Sequence, residues 1–239
     1  MQQRTLDPRL SLAFDLYDPC VLAADIGTDH AHLPAALLQR GRCQHMILTD
    51  VSESALANAR MEIMRLRLSD RVSFRLGNGL SVLSEKCGMI SVTGMGGRTI
   101  RDILLSGRSR LQGASLLLSA HTDWHLIRAA LQEIGYHLDR EEPCFAAGRY
   151  YLLLRARPGT VPASPQEIRL GSALFRSESP VLIPFLRRRM QVLQARLNGL
   201  LSASVPDERE ISALREDLHF CESFLRDKAK GAPVFSPDF

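Results

Sequence analysis

Five short apolar runs, each bounded by a turn residue or a charge, alternate with helix-like segments from Cys20 to about Arg157. "CVLAAD", "HMILTD", "RVSFRL", "GMISVTG" and "ASLLLS" read as buried strands. Between them, Ala55, Ala59, Ile63 and Leu66 repeat at helical spacing behind a candidate cap at Ser52 or Ser54. A further helix opens at Gly97 and carries Ile100, Ile103 and Leu104 on one side. This alternation predicts parallel strands joined by crossover helices, hence a doubly wound α/β sheet. "GYHLDREE" and "GRYYLLLRA" stand only a few residues apart and predict an antiparallel pair at the sheet edge.

"PGTVPASP", Pro158 to Pro165, has the composition of a linker, and beyond it the pattern changes. Leu182, Leu186, Met190, Leu193, Leu197 and Leu200 recur at spacings of three and four, and Ile211, Leu214, Leu218, Cys221 and Leu225 do the same. The expectation is a sheet domain over 1–160, then a linker and an antiparallel two-helix coiled coil over 161–239, paired within one chain. The stripes are first of all packing surfaces; Arg187, Arg188 and Arg196 face outward, as solvated charges usually do.

Composition narrows the class. At 45% hydrophobic and 23% charged residues, the 239-residue chain is an ordinary globular mixture with room for one sizeable core. The polar start "MQQRTLDPRL" does not read as a secretory signal, and no apolar run approaches the roughly 20 residues of a membrane helix. The five cysteines are dispersed, without a CxxC pair, which predicts reduced thiols in the cytoplasm and no metal site. A net charge of +4 permits a polyanionic partner without requiring one.

In such a sheet, ligands bind beyond the carboxyl ends of the strands. Four polar stations fall there. The first is Asp25-Ile26-Gly27-Thr28-Asp29-His30, where glycine admits close backbone approach and a helix N-terminus follows. The second is Asp50, followed by Val51, at a strand end where a carboxylate can hold ribose hydroxyls. Gly77-Asn78-Gly79 forms a tight turn whose amide can face an adenine edge, and Gly94-Met95-Gly96-Gly97 is a bare backbone loop opening a helix. Each station alone is an ordinary turn; together they define one rim. The chain has neither a P-loop nor the GxGxxG of dinucleotide folds, which shifts weight from ATP and NAD toward S-adenosylmethionine.

"ADIGTDHAHLP", "TDVSESALANA", "RLGNGLSVL", "TGMGGRTIRDIL" and "GRYYLLL" resemble, in order and spacing, the bacterial tRNA (adenine-22-N1)-methyltransferase family, TrmK. The resemblance covers about Ala24 to Leu154, and the C-terminal helix pair is similar to that family's extension. It implies a Rossmann-like, S-adenosylmethionine-dependent methyltransferase domain acting on N1 of an adenine in tRNA. Carried over by position, Asp25, Gly27, Thr28, Asp29 and His30 would line the methionine side, with Asp50 and Val51 at the ribose. Asn78 and Gly79 would lie at the adenine, and Gly94 to Gly97 would border the incoming base, with Arg98, Arg101 and His121 nearby. Two positions depart from the family pattern: His32, where tyrosine is frequent, and Ser119-Ala120-His121, where many members read Gln-Pro-Asn.

Adenine N1 carries its own lone pair, so direct in-line displacement needs alignment and dryness rather than a nucleophilic side chain. Positive charge develops on the ring, and Asp29 is the expected carboxylate beside it, a helix cap or salt bridge being its competing role. His30 and His121 have no proton to carry in such a reaction. A base inside folded tRNA must also be unstacked, and Arg98, Arg101, Arg108 and Arg110 could hold phosphates near the opening. Two other classes compete: a nicotinamide-dependent oxidoreductase, for which no catalytic Tyr/Lys pair is found, and a non-catalytic tRNA- or protein-binding module.

Overall fold

The computed structural model describes residues 6–230. Five parallel strands, β1 (Cys20–Ile26), β2 (Cys43–Asp50), β3 (Val72–Leu76), β4 (Met89–Met95) and β5 (Ser115–Ala120), coincide with the five apolar runs. β6 (Tyr136–Ala146) and β7 (Arg149–Pro158) complete one sheet of order β3-β2-β1-β4-β5-β7-β6. β7 inserts between β5 and β6 and runs antiparallel to both, pairing Leu116 with Ala156 on one side and Tyr136 with Pro158 on the other. Strand order reverses between β1 and β4, so their carboxyl ends frame the crevice where ligands of such sheets bind.

Both faces of the central sheet are covered, which is why β1, β4 and β5 are largely apolar, whereas the edge strands β3 and β6 carry charged residues. Alternate residues go to opposite sides: Ala24, Leu116, Leu118 and Leu154 to one cluster, Ala23, Leu117 and Leu153 to the other. The first cluster receives Ile100 and Leu104 of α4 (Gly97–Ser106) and Ile127 and Leu131 of α5 (Trp124–Glu133). The second receives Ala13 and Leu16 of α1 (Pro8–Leu16), Leu37 of α2 (His32–Gln39) and Ile63 of α3 (Glu53–Arg65). Of the two candidate caps on α3, Ser52 is the one used; its hydroxyl accepts from the Ala55 amide at 3.3 Å.

Beyond β7, residues 159–164 are irregular, as their composition implied, and α6 (Pro165–Leu170) then starts on a capping box made by Ser164 and Glu167. α7 (Leu182–Leu201) and α8 (Glu208–Ala229) then form a helical hairpin. Its outer half has a small core of Leu197, Ile211, Leu214 and Leu218, and the ion pair between Arg196 and Glu210 joins the end of α7 to the start of α8. The helices are therefore antiparallel. Phe185 and Leu186 of α7 and Cys221 of α8 belong to the main sheet cluster, so the base of the hairpin packs on the sheet domain.

A carboxylate-lined cavity at the strand ends

The β1–α2 turn is held in an unusual shape. Gly27, Asp29 and Ala31 all have left-handed backbone, with φ of +75°, +44° and +55°. For non-glycine residues this costs of order 1–3 kcal/mol each and concentrates at functional sites. The turn is tied to β2: the amides of Gly27 and Thr28 donate to the Thr49 carbonyl at 2.8 and 3.1 Å. A side chain at position 27 would collide with the Met95 methyl, so glycine lets the end of β4 lie against the turn. Ala31 occupies the cap position of α2 with no side-chain cap bond. Asp29 is therefore not a helix cap. It stands largely exposed, its carboxylate 3.7 Å from His30 Nε2, and His30 stacks on His32 with ring centres 5.6 Å apart.

Asp25 is buried at the end of β1, and its Oδ1 accepts a 2.5 Å hydrogen bond from the Ser91 hydroxyl. Burial raises its carboxyl above the usual aspartate value; the Ser91 hydrogen bond opposes that rise and the charge of Asp50 adds to it. Asp50 is half-buried and accepts from the Ser52 amide at 3.0 Å, which fixes its carboxylate at the β2 end. Gly77 donates to the Asp50 carbonyl at 2.9 Å, bringing the exposed Asn78 and the buried Gly79 to the same rim. At β4 the register shifts between Thr93 and Met95, a bulge that leaves Gly94 (φ +80°) with open space where a side chain would stand.

These ends enclose a cavity of about 740 Å³, within the range of cofactor pockets. Eleven of the residues expected at the site line it: Asp25, Gly27, Thr28, Asp29, His30, Asp50, Val51, Asn78, Gly79, Gly94 and Met95. Gly96, Gly97, Arg98, Arg101 and His121 do not. Gly97 is glycine for packing, since a side chain there would meet the backbone oxygens of Thr122 and Asp123. Arg98 is exposed, and Arg101 pairs with its neighbour Asp102 at 2.7 Å. His121 stands just outside, its Nε2 3.2 Å from the Gly94 carbonyl oxygen.

Several lining residues carry no clear sequence signal. Thr49 and Thr93 lie next to the strand ends, and Thr99, Asp102 and Ser106 come from the side of α4. Arg9 and Leu10 come from α1, which folds back over the rim. The Thr49 hydroxyl is buried without a hydrogen-bond partner, whereas the Thr28 hydroxyl lies by the Asp25 carboxyl and, with Ser91, opposes the rise of its pKa. Four carboxylates line the cavity, Asp25, Asp29, Asp50 and Asp102, against the single guanidinium of Arg9.

Sheet order, rim cavity and carboxylate lining define a Rossmann-like methyltransferase. The tRNA (adenine(22)-N(1))-methyltransferase family, TrmK, matches residues 23–222, and the chain belongs to it. The chain is 28% identical over 177 residues to the tRNA (adenine(22)-N(1))-methyltransferase of Bacillus subtilis strain 168, covering 73% of this chain and 74% of that protein. Among solved structures it is similar to Streptococcus pneumoniae Sp1610, described as a candidate tRNA (m1A22) methyltransferase. The TM-score is 0.80 and the identity 26%, covering 92% of this chain and 100% of that one. The same pneumococcal protein in complex with S-adenosyl-L-methionine matches at a TM-score of 0.79 and 27% identity, with the same coverage.

Proposed function

We propose that the rim cavity binds S-adenosylmethionine and that the chain there methylates N1 of an adenine in tRNA, at the position 22 of its family's name. The observation that carries this reading is the charge of the cavity wall. Among the described residues, Asp25, Asp29 and Asp50 face the cavity against the guanidinium of Arg9, Asp102 being paired with Arg101. This balance suits a ligand bearing a sulfonium and an ammonium and opposes the phosphates of ATP or NAD. The fit extends to the neutral groups: the buried Thr49 hydroxyl lacks a partner, and the Gly94 bulge leaves a bare space at the wall. Bound there, S-adenosylmethionine supplies an electrophilic methyl group.

The chain's own residues bind, orient and keep water out. Asp50, immobilised by the Ser52 amide, is placed to accept from ribose hydroxyls, and Asn78 offers an amide to the adenine edge. Asp25, Gly27, Thr28 and His30 surround the amino-acid end, while Val51 and Gly79 give apolar and backbone walls to the nucleoside. Gly94 and Met95 border the point where the target base enters. Asp29 offers its carboxylate to the positive charge that the adenine ring acquires, and the strained turn fixes where that carboxylate stands. No side chain has a proton to move, because N1 attacks through its own lone pair. The stacked His30 and His32 and the α1 residues Arg9 and Leu10 wall the cavity against solvent.

In this reading the sheet domain, expected over 1–160, carries donor and chemistry and the stretch expected over 161–239 supplies the helical appendage, with 1–5 and 231–239 outside the described residues. The protein works in the cytoplasm, where its five free thiols stay reduced. Gly96, Arg98, Arg101 and His121 stand outside the cavity, toward the RNA, and Gly97 serves the packing of α4. The test is methyl incorporation from labelled S-adenosylmethionine into unmodified bulk tRNA, with the product nucleoside identified by mass spectrometry. N1-methyladenosine is expected; no incorporation, or a different modified base, overturns the reading.

A further inference from the structure

The tip of the β6–β7 hairpin projects past the strand ends on the rim side of the sheet. Ala120, the last residue of β5, pairs with Leu152, so residues 145–151 extend past the end of the parallel strands on the rim side. The turn is tight, with Ala147 at φ +48° and Gly148 at φ +75°, the two left-handed residues that a two-residue hairpin requires. On one face of this ribbon, Tyr151 meets His121 edge-on at 6.0 Å and carries the Arg9 guanidinium 5.3 Å above its ring, beside the cavity. The other face is different in kind. Phe145 lies directly opposite Tyr150, ring centres 4.9 Å apart; Tyr150 contacts Phe185 at 6.0 Å, and Phe185 contacts Trp124 at 5.6 Å. Trp124 is anchored by its indole N–H on the Ala120 carbonyl at 2.9 Å.

Four rings thus run from the core at the end of β5 outward, and the last of them is presented to solvent. Phe145 is 48% exposed, the sole aromatic among the large exposed apolar side chains of the described residues. A lone exposed apolar residue is ordinary. An exposed ring backed by Tyr150, which itself packs on Phe185, with the cation Arg149 exposed at the same turn, is the construction of a base-stacking platform.

We propose that Phe145 stacks on an unpaired nucleobase of the tRNA next to the target adenine, replacing the neighbour that base loses when the adenine turns out into the cavity, with Arg149 on the adjoining phosphate. The proposal rests on the tRNA-methylating reading above and adds the residue that meets the RNA. Turning a base out of its stack leaves a neighbouring base uncovered, and a ring on the rim side of the sheet can cover it.

The experiment compares Phe145→Ala and Phe145→Trp with the unaltered protein. It measures kcat/KM for unmodified tRNA, and donor affinity by calorimetry. Phe145→Ala is expected to lose roughly 5- to 150-fold in kcat/KM, the range of one base–aromatic stack, and Phe145→Trp to keep most of it. Donor affinity stays the same in both. An alanine variant as active as the unaltered protein, or a tryptophan variant as impaired as the alanine one, overturns the platform. Unaltered protein that methylates no tRNA fails the underlying reading, and the platform with it.

Discussion

Buried polar groups gather in two regions of the molecule, the rim of β1, β2 and β4 and the seat of the helical hairpin on β6, and the two use them in opposite ways. At the seat, Arg128 and Glu141 are both buried and joined at 2.7 and 2.8 Å. The second Glu141 oxygen takes the Leu174 amide at 3.2 Å, and Arg128 reaches the carbonyls of Ile168 and Arg169 at 3.2 and 3.1 Å. Arg169 in turn forks onto Asp217 of α8 at 2.8 and 2.9 Å. Gly171 is glycine because any side chain would strike both members of the Arg128–Glu141 pair. At the rim, by contrast, the buried Thr49 hydroxyl has no partner, Asp25 has an unfavourably raised carboxyl, and non-glycine residues sit in left-handed backbone. The seat pairs its charged groups with one another, although the Tyr136 hydroxyl beside it is also unpartnered; the rim leaves its carboxylates facing a cavity.

That contrast can be broken in four ways, the largest first. Arg128→Ala leaves Glu141 buried without its partner and should cost about 3–5 kcal/mol in urea unfolding. Donor affinity of the folded fraction should not change; a stability loss below about 1 kcal/mol would remove the seat from the comparison. Asp50→Ala should do the reverse. Donor binding by calorimetry should weaken about 10- to 150-fold, the worth of hydrogen bonds to a charged group, with the unfolding midpoint little moved. Unchanged affinity would contradict the ribose role. Asp29→Asn keeps the shape of the turn but removes the charge, so kcat should fall roughly tenfold while donor affinity holds. Parallel loss of donor affinity would make Asp29 a pocket residue instead.

The smallest effect is in pH. Asp25 ionises above the ordinary aspartate value because it is buried, with Ser91 working against the shift. Protonated, it offers a cationic ligand no charge. Donor affinity should therefore rise a few-fold as pH climbs through that raised pKa and then level off, and Asp25→Asn should flatten the profile. The contribution of Asp25 to fold stability has the opposite sign, because the native state favours its protonated form.

The architecture was largely legible because strand, turn and helix signals agreed locally. The five apolar runs became the five parallel strands, and the heptad-like leucines became α7 and α8. The strand-end stations converged because parallel strands must all open their carboxyl ends on one rim. What was hidden depended on tertiary contact. Nothing in "PRLSLAFDL" announces that α1 turns back to put Arg9 and Leu10 over the cavity. Asp102 reads as an ordinary surface charge on a helix, and only the packing of α4 beside β4 brings it to the wall. Gly97 reads like its glycine neighbours, whereas its constraint is the backbone of Thr122 and Asp123, visible only once α4 and the β5–α5 loop are packed. Phe145 and Tyr150 lie within an edge-strand pattern that gives no hint of the rings behind them.

The central claim is that Asp25, Asp50, Asn78 and Gly94 surround one molecule of methyl donor. A crystal structure of the protein grown with S-adenosylhomocysteine tests it most directly. The account predicts density in the rim cavity touching all four residues, with Asp50 on the ribose. A crystal grown at saturating ligand in which that cavity stays empty, or in which the nucleoside sits elsewhere on the molecule, contradicts it.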